Sequence, residues 1–325
     1  MKGVLYPFVF HPRFKECVWG GRTLETLYGK RLPPDVPVGE SWEISDRPGN
    51  ESVIANGPLA GRTLRWLMES HAGDVLGEAR AAAGGRFPLL CKILDARDRL
   101  SLQVHPPDHA SHLGEPKTEM WYIVAAEPGA ELHVGLKRGV TRQAFESAIR
   151  DGRVAECFHR IPVRAGDAMF LPSGRVHAIG AGLVIFEIQQ NSDTTFRVFD
   201  WNRMGLDGKP RDLHIHESLA SIDFSDVEPS LAGETPSASG PFTIRALVRH
   251  TLFDVDLVRA SARDLMTLAS AGPRVIAVAE GRVTVSGGGV LQGLEAGQFC
   301  LLPAGVSDGK VAAEAGSAFL LAEPK

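Results

Sequence analysis

Apolar positions in this chain fall mostly in short runs, and most of the regular structure they predict is strand. The runs "LLCKILDA" (89–96), "MWYIVAA" (120–126), "AMFLP" (168–172), "LVIFEIQQ" (183–190), "FDVDLVRA" (253–260), "RVIAVAE" (274–280) and "RVTVSG" (282–287) are rich in β-formers and bounded by Gly, Pro or Asp. Many short strands with such punctuation predict a sandwich or barrel. Helical periodicity is local. It predicts helices near 62–76, over "TRQAFESAIRDG" with Thr141 as N-cap and Gly152 as stop, and at "HESLASI" (216–222). Between 225 and 242 the chain is polar and rich in Pro, Ser and Gly, the composition of a linker or exposed crossover. The expected division is a barrel with flanking helices over 1–224, a linker over 225–242 and a second barrel over 243–325.

One stretch breaks the apolar pattern. In "LSLQVHPPDH" (101–110) a buried strand begins, yet Gln103 and His105 alternate onto one face, because side chains two apart in a strand point the same way. That face carries lone-pair donors where a core would carry Leu or Val.

The chain also repeats itself. Residues 166–177, "GDAMFLPSGRVH", and 297–308, "GQFCLLPAGVSD", share the spacing Gly, five residues, Pro, one residue, Gly, and then His177 in the first copy and Asp308 in the second. The upstream strands "WYIVAAEPG" and "VIAVAEG" match as well, so two copies of one β-unit are expected. A strand flanked by Gly turns, with Pro-x-Gly at the corner, predicts that the residue three after the second Gly faces the barrel interior. Nothing upstream of Asp308 matches Gln103-Val104-His105, so the second barrel is read as degenerate and without metal ligands.

The G-x5-P-x-G-x2-H pattern resembles the second motif of the cupin superfamily, small jelly-roll β-barrels that often hold one metal; the Asn that follows the His in that family is missing here. Taken in order, "VWGGRTL", "GESWEIS", "LQVHP", "KTEMWYIV", "LPSGRVHAIGAG" and "EIQQNSDTTFRVFDWNR" resemble the short bacterial form of type I mannose-6-phosphate isomerase, from about residue 7 to 220. The resemblance implies a mainly β protein of two cupin-type jelly-roll barrels with a few short helices. It implies an aldose-ketose isomerase that interconverts mannose 6-phosphate and fructose 6-phosphate through an enediol. Gln103, His105, Glu119 and His177 match the family's metal ligands, the metal being zinc in most characterised members, one per chain, with another divalent ion as the alternative. Imidazoles suit zinc, while a carboxylate and an amide oxygen leave coordination positions open for water or substrate.

Such a reaction needs a group to move a proton, charge stabilisation at the carbonyl oxygen, and recognition of the phosphate. Arg197 matches the arginine regarded as catalytic in the family and would neutralise the enediolate or grip the phosphate. Lys117, two before Glu119, matches a proposed acid-base lysine, a role that needs burial or a nearby cation to lower its pKa. Asp193 is a candidate for proton handling or for orienting Arg197. The long family members carry a helical insertion that this chain lacks, so its phosphate ligands come from elsewhere.

Each assignment has a structural alternative. An isolated His is ordinarily a packed or surface residue, which is how His109, His112, His133, His159, His214 and His216 are read. Gln103 could hold a water beside the metal rather than ligate it, and Arg197 could pair with Asp193 or Asp200 at the surface. Trp19, Gly20 and Gly21 are expected to form a turn, with Trp19 and Trp42 packing the barrel end, and Arg97, Arg99 and Lys92 to be solvated. Two other functions stay open: a non-catalytic sugar-binding or regulatory cupin, which predicts lost ligands, and another metal-dependent cupin enzyme such as an iron dioxygenase, which predicts a denser His set.

Composition narrows the partners. At 325 residues, 44% hydrophobic and 23% charged, the chain reads as globular and too long for one small core. A net charge of −4 offers no reason to expect nucleic acid or an anionic membrane. A small phosphorylated sugar remains the expected partner, with the protein a monomer or homodimer. Four scattered cysteines without a CxxC pair argue against a disulfide framework, and no signal-like or membrane-spanning stretch is evident, so the cytoplasm is the expected location.

Overall fold

A computed structural model of the chain describes residues 5–268 and 271–325. Strands Leu89–Ala96, Leu183–Gln190, Phe253–Ala260, Arg274–Glu280 and Arg282–Gly287 have the bounds the pattern predicts. Glu119–Ala126 begins one residue early and Ala168–Leu171 ends one early. The helix Leu64–Leu76 starts after Thr63, whose hydroxyl accepts from the Trp66 amide at 3.1 Å. Thr141 caps Arg142–Arg150 in the same way, through the Ala144 amide at 3.2 Å. Each cap satisfies an amide that has no partner inside the first helical turn. Among the described residues no helix is long and apolar enough to cross a membrane.

The fold has two compact units. One holds the chain up to Arg13, Trp42–Lys92 and Ala232–Lys325; the other holds Phe14–Ser41 and Ile93–Leu231. This differs from a division into consecutive halves at 225–242, because early segments are tied to late ones. Phe8 and Leu301 exchange backbone hydrogen bonds at 2.8 Å, Asn56 donates to Gln292 at 2.8 Å, and the Gly305 amide donates to Asp74 at 2.7 Å. Nor is 225–242 a free tether. Leu136 donates to the Asp226 carbonyl and accepts from the Glu228 amide, while Ser237–Ser239 forms a strand paired with Phe242–Ile244.

In the first unit a six-stranded sheet, in the order Ser237–Ser239, Phe242–Arg249, Phe253–Ala260, Ala318–Pro324, Arg274–Glu280, Phe299–Leu302, accompanies a four-stranded sheet of Asp264–Thr267, Lys310–Ala313, Arg282–Gly287 and Val290–Glu295. Val258, Ile276, Val278 and Cys300 from one sheet and Val283, Val285, Leu294 and Val311 from the other share one apolar cluster. The second unit repeats the plan. The six-stranded sheet that holds most of its strands runs Ala168–Leu171, Glu119–Ala126, Leu183–Gln190, Leu89–Ala96, Arg13–Gly21, Val38–Ile44, of which Arg13, Trp42–Ile44 and Leu89–Lys92 are counted with the first unit. Its five-stranded sheet runs Phe196–Phe199, Leu102–Val104, His177–Ile179, Glu131–Leu136, Phe158–Pro162. Trp121, Ile123, Met169 and Ile185 from the first of these meet Leu132, Val134 and Ile179 from the second. Alternation along antiparallel strands thus places one face of each sheet in a shared core.

The internal repeat is a repeat in hydrogen bonding. Gly166 donates to the Ile123 carbonyl and Gly297 to the Val278 carbonyl, each at 2.8 Å, and both glycines have positive φ, +91° and +82°. Residues with a Cβ rarely adopt that conformation. In each copy the following strand then pairs antiparallel with the upstream one, Ala168 opposite Tyr122 and Phe299 opposite Ala277. The copies part at the last position. His177 starts a buried strand, whereas Asp308 lies exposed in a turn, its carboxylate accepting from the Gly288 amide at 2.9 Å, so it does not face the interior. A further difference is at Trp19–Gly21, which ends the strand Arg13–Gly21 instead of forming a turn; Trp19 packs in the core and a Cβ on Gly20 would meet the Gly39 amide nitrogen at 2.4 Å.

Candidate metal centre and active site

In the second unit the core turns polar where Glu119 begins its strand. His177 and Gln103 lie side by side on the five-stranded sheet, and Arg197 is registered against Gln103 from the other side. Directly paired antiparallel residues project from the same face, so these three side chains form one lateral row. His105 follows the strand Leu102–Val104, two residues past Gln103 as the spacing predicted.

His105, Glu119 and His177 are all buried and bring one ligand atom each to within 4.8 Å of one another. Both histidines have the inner nitrogen committed. His105 Nδ1 donates to the Thr194 carbonyl at 2.8 Å and His177 Nδ1 to the Arg175 carbonyl at 2.9 Å. A carbonyl can only accept, so Nδ1 carries the proton and Nε2 keeps its lone pair. The two Nε2 atoms each lie 3.5 Å from an oxygen of Glu119. Gln103 touches the set through its amide nitrogen, 3.2 Å from His177 Nε2. An amide presents oxygen instead when it turns over about its last bond.

Lys117 supplies the cation. It lies before the strand that starts at Glu119, and its Nζ sits 3.0 Å from Glu119 Oε2 and 3.3 Å from His105 Nε2. Even so, neither oxygen of Glu119 accepts a directed hydrogen bond. A buried carboxylate with neither oxygen in a directed hydrogen bond, facing two imidazole lone pairs, is a donor set that a divalent cation completes. Burial, followed by the Lys117 charge, pushes His105 down to about 3, and burial also lowers His177. Burial acts to raise Glu119, but Lys117 and His105 outweigh it and hold the carboxyl well below its usual range. At neutral pH the set is therefore two neutral imidazoles and a carboxylate.

Because His105 is depressed on folding, the unfolded chain binds more protons below its own value near 6.5, and stability must fall as pH drops from about 6.5 toward about 3. The urea midpoint of the metal-free protein is expected to decline across this window. A His105→Gln variant should show a shallower decline; an equally steep one would remove His105 as a source of the pH dependence.

Of the other predicted residues, Arg197 is half-buried, with Nη1 donating to the Asp212 carbonyl at 2.7 Å, its amide donating to His214 Nδ1 at 3.3 Å, and Nε buried without a partner. It makes no ion pair with Asp193 or Asp200; Asp200 is taken by Arg203 and Arg211. Burial, with Arg211 next, lowers its pKa. Asp193 is exposed on the loop before Arg197. His133 lies registered against Ala178, on the opposite face from the His177 row, and packs edge-on to Trp201.

Two polar residues were missed. Glu187 and Gln189 alternate with the core residue Ile185, and they register against Trp121 and Glu119 respectively, so they face the same interior. Glu187 accepts from Trp121 Nε1 at 2.9 Å, and Trp121 in turn packs edge-on to His177 at 5.3 Å. The two-residue spacing that singles out Gln103 and His105 is present in "FEIQQ" as well. Lys92, expected to be solvated, is 3% exposed, with its ammonium 5.1 Å from the Trp42 ring centre. Arg97 and Arg99 are exposed, as expected.

The same fold is found in proteins of known kind. Residues 8–146 match the family model of the type I phosphomannose isomerase catalytic domain. The mannose-6-phosphate isomerase ManA of Bacillus subtilis (strain 168) is 35% identical over 318 residues, 94% of this chain and 95% of that one. The mannose-6-phosphate isomerase of Streptococcus mutans serotype c is 39% identical over 218 residues, 66% of each chain. Among solved structures, the mannose 6-phosphate isomerase of Bacillus subtilis superposes with a TM-score of 0.88 at 30% identity, covering 98% of this chain and 100% of that one. Phosphomannose isomerase from Salmonella typhimurium, at 18% identity and a TM-score of 0.77, shares the fold. Similarity sustained along nearly the whole chain, together with the two-sheet cupin plan, makes this protein a member of the type I mannose-6-phosphate isomerase family.

Proposed function

We propose that this enzyme interconverts mannose 6-phosphate and fructose 6-phosphate with one zinc ion held by Gln103, His105, Glu119 and His177. The observation that carries the reading is the convergence of two imidazole lone pairs on a buried carboxylate that lacks directed hydrogen bonds. Two imidazoles and one carboxylate are a ligand set that catalytic zinc sites use. When bound, such an ion polarises the carbonyl and hydroxyl oxygens of the open-chain sugar.

The chain's own groups do the rest. Lys117, whose ammonium lies between Glu119 and His105, is placed to pass a proton between the adjacent sugar carbons. Arg197, in the row with Gln103 and His177, presents a fixed positive charge to the enediolate oxygen or the phosphate. Asp193, exposed on the loop before it, is the reserve candidate for proton handling. The free thiols of all four cysteines fit a reducing cytoplasm and a soluble enzyme, monomeric or homodimeric.

Given mannose 6-phosphate, the purified zinc-loaded protein is expected to form fructose 6-phosphate, and to leave unphosphorylated mannose nearly untouched. No conversion of the phosphate ester would refute the reading. Arg197→Ala should lower kcat/KM by about 10²–10³-fold while leaving metal content unchanged; wild-type turnover in that variant would exclude Arg197 from the reaction.

A further inference from the structure

The polar segment that follows the strand Leu183–Gln190 does more than link two strands. Gln189 is fully buried and registered against Glu119 on the inner face. Its amide nitrogen donates twice, to the Gln190 carbonyl at 2.8 Å and to the Ser192 carbonyl at 2.7 Å. Gln and Asn alone among uncharged side chains offer two N–H donors on one atom, and here both bonds fold the chain back on itself. The Ser192 hydroxyl donates to the Glu115 carbonyl at 3.0 Å and accepts from the Thr194 amide at 3.3 Å. The Thr194 hydroxyl accepts from the Glu115 amide at 3.0 Å. Gln190, next to Gln189, donates its backbone amide to the Thr118 carbonyl at 3.0 Å and accepts the Thr118 amide on its side-chain oxygen at 2.7 Å.

This network ends on both halves of the cluster. Thr118 sits between Lys117 and Glu119, and the Thr194 carbonyl is the group that holds the His105 ring and its proton. Gln189 makes no hydrogen bond to a carboxylate oxygen of Glu119, and its own Oε1 is buried without a hydrogen-bond partner. We infer that Gln189 is a positioning residue for the metal centre, fixing the turn at 190–192 so that Thr194 orients His105 while Gln190 holds the Lys117–Glu119 segment. The inference rests on the reading of His105 and Glu119 as metal ligands. Groups that orient a ligating histidine through its second nitrogen typically change metal affinity by 10–100-fold when lost.

The test is zinc binding to metal-depleted protein, measured by competition with a chromophoric chelator, for the wild type, Gln189→Met and Ser192→Ala. It is accompanied by the visible spectrum of the cobalt(II) form and the melting temperature of each metal-free protein. Gln189→Met is expected to weaken zinc binding by about 10–100-fold and to shift the cobalt bands, with the metal-free melting temperature within a few degrees of wild type. Ser192→Ala, which removes bonds further along the same network, should weaken binding by about 3–10-fold and carries the test if the methionine variant does not fold. Wild-type zinc affinity in the variants, or a lowered melting temperature with an unchanged cobalt spectrum, would overturn the inference and leave Gln189 a packing residue. A wild-type protein that takes up no zinc or cobalt at all would overturn the ligand assignment itself, and the inference with it.

Discussion

Glu119→Gln is expected to abolish metal retention and to reduce isomerase turnover by more than about 100-fold, beyond the range seen when only a supporting partner of a ligand is lost. The substitution preserves shape and removes charge, and the charge is what this position contributes. With it gone, the Lys117 ammonium, 5% exposed, has no anion within reach of its ion-pair contact. Removing one partner of a buried pair costs about 3–5 kcal/mol because the other is left uncompensated, so the metal-free variant should also melt well below wild type. Dialysis followed by elemental analysis and a urea titration read the two effects separately. Full zinc occupancy in Glu119→Gln would show that the ion sits elsewhere.

Lys117→Ala is expected to do nearly the reverse. Metal should be retained, since His105, Glu119 and His177 keep their mutual geometry, while kcat falls by about 10²–10⁴-fold, the usual contribution of a positioned proton-transfer group. The ammonium now 3.0 Å from Glu119 competes with any cation for that carboxylate, so zinc affinity in the variant should be unchanged or higher. An alanine variant with normal metal content and full isomerase rate would remove Lys117 from the mechanism and turn attention to Asp193.

Part of the cluster was readable from local spacing. Gln103 and His105 two apart and the G-x5-P-x-G-x2-H corner that delivers His177 each encode a side-chain direction locally, whereas Glu119 entered only through the family resemblance. Register between strands is not encoded that way. That Arg197 and His177 flank Gln103 depends on pairings spanning dozens of residues. So does the hydrogen bond from His105 to the Thr194 carbonyl, since a backbone acceptor leaves no mark in the sequence.

Two misreadings have physical causes. Lys92 lies in a strand buried on both faces, where alternation carries no signal, so its charge suggested solvent although the strand is buried throughout. Asp308 has the spacing of His177, but the chain after Pro303 turns outward, and the carboxylate caps a neighbouring backbone amide instead of entering the core. The grouping of Trp42–Lys92 with the C-terminal residues was also beyond a linear reading, because compositional breaks mark where a chain is polar and say nothing of which segments pack together.

The most direct test of the central claim is the conversion of mannose 6-phosphate to fructose 6-phosphate by the purified protein as isolated, after exhaustive chelation, and after zinc is added back. Activity that disappears with the metal and returns with it is the predicted result, with no recovery in Glu119→Gln. Undiminished activity after verified removal of all metal would contradict it, and so would a zinc-loaded protein with no activity.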